Sequence, residues 1–226
     1  MDVEVDGILV AAHELKEPLA TLRQLAFSFD EMSEPNELIR EKMVSVSDRA
    51  IRQVNDLLKL RRLESSLPEM SPLAVRPVCD EVIRELEYLF RYNKRELFVK
   101  FPGKEQLAYA NRELLFSVVY NFLLNAVHYT GDEMRAEIMV KPIKDKIRIL
   151  VRDYGPALPM DVWREMQRGW VEKPTSIAMR PGSSGLGLFI ASKFSKYMDA
   201  KVGAVRHRDG TSFYVDLMRS KQMSLF

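Results

Sequence analysis

The chain has 226 residues, 46% hydrophobic and 29% charged, which is enough for one or two packed domains and too polar for a membrane-embedded one. A net charge of +2, with both signs interspersed, marks neither a nucleic-acid surface nor a basic membrane-binding tail. The single cysteine, Cys79, excludes an intramolecular disulfide and reads as a small buried thiol; with no Cys/His cluster at metal-ligand spacing, a zinc site is not expected.

From about residue 3 to 30, apolar side chains recur every seven residues at Ile8, Leu15, Leu22 and Phe29, with Ala12, Leu19 and Ala26 as the second position of a coiled-coil-like seam. After the breaker Ser33-Glu34-Pro35-Asn36, a second helix to about residue 64 carries Ile39, Met43, Val46, Ala50, Val54 and Leu57 at spacings of three and four. Two helices cannot bury both seams well alone, so a homodimeric four-helix bundle is the economical arrangement. Leu67-Pro68-Glu69-Met70-Ser71-Pro72 interrupts the periodicity and reads as a linker, giving domains 1–67 and 68–226.

Beyond the linker, Val78 to Phe90 reads as a helix, Leu97 to Phe101 as a strand, and Arg112 to Tyr129 as a long apolar-rich helix. Strands are expected at Ala136 to Val140, Ile147 to Arg152, Lys201 to Arg206 and Ser212 to Met218, the last two joined by a turn at Arg208-Asp209-Gly210. The fold class is therefore α+β: a helical hairpin followed by an α/β sandwich with helices on one face of a mostly antiparallel sheet. No apolar run approaches the roughly 18 residues needed to span a bilayer. The acidic start Met1-Asp2-Val3-Glu4 lacks the pattern of a signal peptide, so no membrane insertion and a cytoplasmic location are expected.

Four short patches carry chemistry. His13 lies one residue past Ala12 of the seam and so points to the flank of the bundle, where solvent and a docking domain reach it. A neutral imidazole is a good nucleophile toward phosphorus, and the adjacent Glu14 can hold its other ring nitrogen. Asn121 and Asn125 are four apart on one helix face, and neutral amide oxygens suit a magnesium ion already compensated by triphosphate. Asp153-Tyr154-Gly155 follows a strand. Gly185-Leu186-Gly187-Leu188 opens a helix running to about Met198, where backbone amides and the helix dipole favour phosphate. Each patch alone recurs by chance.

Together, in this order, they resemble the H, N and two glycine boxes of the sensor histidine kinases of two-component systems, over about residues 8 to 217. HELKEPL around His13 and Glu14 is similar to the family's HELRTPL, with Pro18 where the family helix kinks. The resemblance implies a Bergerat-type ATP-binding fold, ATP and Mg2+ as cofactors, and a response regulator receiver domain as partner. It also implies magnesium on Asn125 with Asn121 assisting, Tyr129 over adenine or ribose, and Asp153 accepting from the adenine amino group beside Gly155. Gly185, Leu186, Gly187 and Leu188 would serve the phosphates. His128 stands where the family generally has Lys or Arg, so Lys173 or Arg180, in the lid from about 169 to 181, could take over that phosphate contact. Trp163 and Trp170 lie where the family's phenylalanine box belongs, with a plain core role equally open. Gly210-Thr211-Ser212-Phe213 resembles the closing GTxF and reads as structural.

Glu17 departs from the family's Thr or Asn, which implies weak or absent phosphatase activity, and Ala157 replaces a glycine. Only a dozen residues precede His13, so either the chain is a core cut from a longer protein or its input comes from elsewhere. The expected function is ATP-dependent autophosphorylation of His13 with transfer to a regulator aspartate. A catalytically weak scaffold, or another ATPase of the same fold, is the alternative.

Overall fold

The computed structural model describes residues 19–26, 36–65, 67–131, 134–168 and 186–220. In chain order these form α1 (19–26), α2 (Asn36–Leu63), β1 (Ser71–Ala74), α3 (Val75–Tyr92), β2 (Glu96–Lys100), β3 (Leu107–Ala110) and α4 (Arg112–Tyr129). Then come β4 (Arg135–Ile143), β5 (Lys146–Arg152), α5 (Met160–Arg168), α6 (Leu186–Tyr197), β6 (Lys201–His207) and β7 (Gly210–Met218).

Alternation builds the sheet. Ala136, Ile138 and Val140 of β4, Ile147, Ile149 and Val151 of β5, and Phe213, Val215 and Leu217 of β7 all turn to one face and are buried against helices. The strand order is β2-β4-β5-β7-β6, with β2 and β4 parallel and the other pairs antiparallel. On the opposite face Arg148 grips Asp216 through two hydrogen bonds of 2.6 and 2.8 Å and lies 3.8 Å from the centre of the Tyr214 ring. A second, two-stranded antiparallel ribbon pairs β1 with β3.

The helices α3, α4 and α6 cover the apolar face. Cys79 is fully buried on α3, and loss of water, then the neighbouring Asp80, pushes its thiol up to about 12, as a buried structural cysteine requires. The long apolar helix is α4, buried from Leu114 to Leu124 because sheet, α3, α6 and α2 all pack around it. Asn111 caps it, accepting from the Leu114 N–H at 3.1 Å and donating to the Glu69 carbonyl at 2.9 Å.

The α/β sandwich expected from the pattern is present, and the Arg208-Asp209 turn joins β6 to β7 with Gly210 at φ +136°. Three elements differ from expectation. The segment read as linker ends in β1, whose proline is tolerated in a two-stranded ribbon; β3 and α5 were not expected at all. On α2, Ile39 is buried and Met43, Val46, Ala50 and Leu57 are half-buried, but Val54 of the expected seam is exposed. A second apolar row, Val44, Ile51 and Leu58, is 55%, 56% and 52% exposed at intervals of seven.

Candidate functional site

Two glycines bring three of the four patches together. A Cβ on Gly155 would sit 1.7 Å from the Tyr129 carbonyl oxygen, so the turn after β5 can close onto the end of α4 only with glycine there. The Gly131 N–H donates to the Tyr154 carbonyl at 2.8 Å and locks the same junction. A Cβ on Gly187 would stand 2.6 Å from Asn121 Oδ1, so the first turn of α6 lies directly on the asparagine face of α4.

Within this junction Asn121 is buried and donates through Nδ2 to the Ser117 carbonyl at 2.9 Å and the Ser117 hydroxyl at 3.4 Å, which leaves its oxygen turned toward Gly187. Asn125, one turn on, has a buried Nδ2 with no protein partner among the described residues. An orphaned amide donor beside a glycine-walled junction fits a polar ligand. Asp153 is 1% exposed, and β7 holds it by both its backbone and its side chain. Its N–H donates to the Thr211 carbonyl at 2.9 Å, while its Oδ1 accepts from the Thr211 N–H at 3.0 Å. Gly210 makes that clamp possible, since a Cβ there would meet the Asp153 carbonyl at 2.1 Å. Thr211 thus holds the carboxylate, a role that a reading of GTxF as merely structural missed; the antiparallel register of β5 and β7 is the signal that exposes it.

Leu186 and Leu188 are buried in the core, so their side chains anchor α6 and only backbone groups at the helix start can serve a ligand. Tyr129 is half-buried at the end of α4 and makes an edge contact with His128, ring centres 6.5 Å apart. His128 keeps exposed surface, and its Nε2 lies 3.3 Å from Arg49 Nη1. Enclosure by protein, then the positive charges of Arg49 and Arg95, lowers its pKa, so the imidazole is neutral near pH 7 and supplies no cation. Arg49 of α2, which the sequence did not suggest, brings a positive charge to that end of α4. His13, Glu14, Lys173, Arg180 and Gly185, with Glu17 and Pro18, lie outside the described residues.

The helix α2 runs antiparallel along α4. Lys59 pairs with Glu113 at 3.1 Å, Ser117 donates to Asp56 at 2.5 Å, and the Arg52 guanidinium lies 4.5 Å from the Tyr120 ring centre. Leu57, Leu60 and Leu63 pack on the sandwich core. Asp56 is buried, and loss of water raises its pKa, opposed by the Ser117 hydrogen bond and by Lys59 and Arg52. Trp163 of α5 is half-buried against the core, and Trp170 lies outside the described residues.

Residues 110–221 match the family model described as histidine kinase-, DNA gyrase B- and HSP90-like ATPase. The sensor histidine kinase MtrB of Mycobacterium tuberculosis is 28% identical over 200 residues, covering 85% of this chain and 35% of its own. The chain thus spans about a third of the length of that curated relative. Among solved structures, full-length ShkA in complex with AMPPNP aligns at TM-score 0.64 and 20% identity, over 98% of this chain and 47% of its own. Histidine kinase ThkA in complex with the response regulator TrrA aligns at TM-score 0.62 and 16% identity, over 93% and 61%. With the sandwich, the converging glycines and the clamped aspartate, these likenesses carry one conclusion: residues 110–221 belong to the histidine kinase-, DNA gyrase B- and HSP90-like ATPases, in a chain similar over most of its length to sensor histidine kinases.

Proposed function

We propose that the chain is the core of an ATP-dependent protein histidine kinase, with domains 1–67 and 68–226, working as a homodimer in the cytoplasm. The carrying observation is the convergence of Asn121, Asn125, Asp153, Gly155 and Gly187 through the Gly155–Tyr129 backbone contact, which leaves no room for a Cβ, and the close approach of Gly187 to the Asn121 amide. ATP lies between α4 and the segment entering α6. Asp153, fixed by Thr211, accepts from the adenine amino group and disfavours guanine, which presents a carbonyl there. Asn125, with Asn121 beside it, would hold Mg2+ arriving with the triphosphate, and the ion's contribution is to offset phosphate charge.

His13 then attacks the γ-phosphorus through a ring nitrogen, the bond from that phosphorus to the β,γ-bridging oxygen breaks, and ADP leaves. Glu14 hydrogen-bonds the other ring nitrogen and stabilises its positive charge. The phosphoryl group passes to an aspartate of a response regulator, as the ThkA–TrrA complex suggests by likeness of fold. The exposed row Val44, Ile51 and Leu58 supports the dimer, since a second copy of α2 would cover it.

Incubation with γ-labelled ATP should give acid-labile label that disappears in His13→Ala; acid-stable label, or label surviving in that variant, refutes the proposal. The neutral His128 favours a second, non-catalytic reading, a scaffold with a weakened pocket, for which wild-type protein would bind Mg–ATP poorly and take no label.

A further inference from the structure

We infer that Asp56, on the helix preceding the ATP-binding sandwich, is a positioning residue for the Asn121 amide and makes the nucleotide site depend on how α2 is docked. Three hydrogen bonds carry it. The Ser117 hydroxyl donates to Asp56 Oδ2 at 2.5 Å, the Asn121 Nδ2 donates to that same hydroxyl oxygen at 3.4 Å, and it donates again to the Ser117 carbonyl at 2.9 Å. Asp56, Ser117 and Asn121 are 4%, 2% and 8% exposed, so the chain is shielded from competing water.

The direction of the chain matters. A serine hydroxyl beside a side-chain amide can either donate to the amide oxygen or accept from the amide nitrogen. The carboxylate of Asp56 accepts only, so it takes the Ser117 proton and leaves the Ser117 oxygen free to accept from Asn121. With its nitrogen held twice, the amide keeps its oxygen toward Gly187, the wall from which a nucleotide or its metal is read. Without Asp56 the Ser117 hydroxyl can turn and compete for that oxygen.

Because Asp56 sits on α2 and the other two partners on α4, the polarity of the pair in the site is set from α2. Lys59–Glu113 and Arg52 over Tyr120 fix the register of α2 on either side of Asp56. Sliding or rotating α2 would break the Asp56–Ser117 bond and loosen the amide.

The inference rests on the proposed nucleotide site, and its test separates the two. Titration calorimetry of the full chain with Mg–AMPPNP should show binding that weakens about tenfold in Asp56→Ala and equally in Ser117→Ala, as expected for one buried charge-assisted hydrogen bond. Asp56→Asn, which keeps an acceptor, should restore most of the affinity. In an Asn121→Ala background, Asp56→Ala should change affinity less than twofold, because the group it positions is gone. The inference is overturned if Asp56→Ala and Ser117→Ala bind like wild type, or if the Asp56→Ala loss is as large with Asn121 removed, which would mean that Asp56 only anchors α2. If Asp56→Ala does not fold, Ser117→Ala and its double with Asn121→Ala decide by the same criteria. Wild-type protein that fails to bind Mg–AMPPNP overturns the nucleotide reading itself, a result distinct from binding that ignores Asp56.

Discussion

The sandwich and α2 solve the same problem differently. The apolar faces of β4, β5 and β7 are covered by helices, and α4 is buried along most of its length. By contrast α2 buries Ile39 and half-buries Leu57, Leu60 and Leu63 against the core, yet leaves Val44, Ile51 and Leu58 more than half exposed. One region completes its core within the chain; the other presents an apolar row whose seven-residue spacing suits a second helix.

That contrast can be broken first at its strongest point. Phe122 is fully buried and stacks on Phe213 across helix and sheet, ring centres 5.8 Å apart. Phe122→Ala should cost about 4 kcal/mol in urea unfolding; a loss as small as at a surface site would mean that the sandwich is not the stable unit. Next, Gly155→Ala forces a Cβ into the Tyr129 carbonyl and should lose about 3 kcal/mol together with nucleotide affinity. Full affinity in that variant would show that the turn after β5 need not meet α4.

The α2 row should behave in the opposite way. Changing Val44, Ile51 and Leu58 to serine should shift stability within about 0.5 kcal/mol per site by intrachain effects, while sedimentation shows loss of the dimer. A variant as dimeric as wild type would place the interface elsewhere.

The smallest effect is electrostatic. His128 has a folded pKa of about 3 against an ordinary 6.5. Sites whose folded pKa is depressed bind fewer protons when folded, so His128 costs no stability above pH 6.5 and an increasing amount as pH falls toward 3. In Arg49→Ala the repelling guanidinium is gone, so NMR titration should show the His128 midpoint moving up and acid sensitivity easing. An unmoved midpoint would mean that Arg49 does not face this ring in solution.

Sequence pattern carried the sandwich because its signals are local. The run Arg112–Tyr129 is apolar enough to be read as one helix, and strict alternation of burial marks β5. The strands β1 and β3 are four residues each, one holding a proline and the other Leu-Ala-Tyr-Ala, too short for a period to register. The three patches on α4, after β5 and at α6 were legible as motifs, yet their contacts were not. That Gly187 touches Asn121, or that Thr211 clamps Asp153, depends on strand register and helix packing between residues 58 or more apart. The pairing of Asp56 with Ser117, 61 residues on, left no trace in periodicity because neither is apolar. The row Val44, Ile51 and Leu58 was hidden by a different seam on the same helix that claims Ile39, Met43 and Val46.

The most direct test of the central claim, that three distant patches form one nucleotide site, is backbone NMR of the full chain titrated with Mg–AMPPNP. The largest amide shifts should fall together on Asn121, Asn125, Asp153, Gly155 and Gly187, and Mg–GMPPNP should leave them nearly unmoved. Shifts confined to one of these patches, or equal responses to the adenine and guanine nucleotides, would contradict the account.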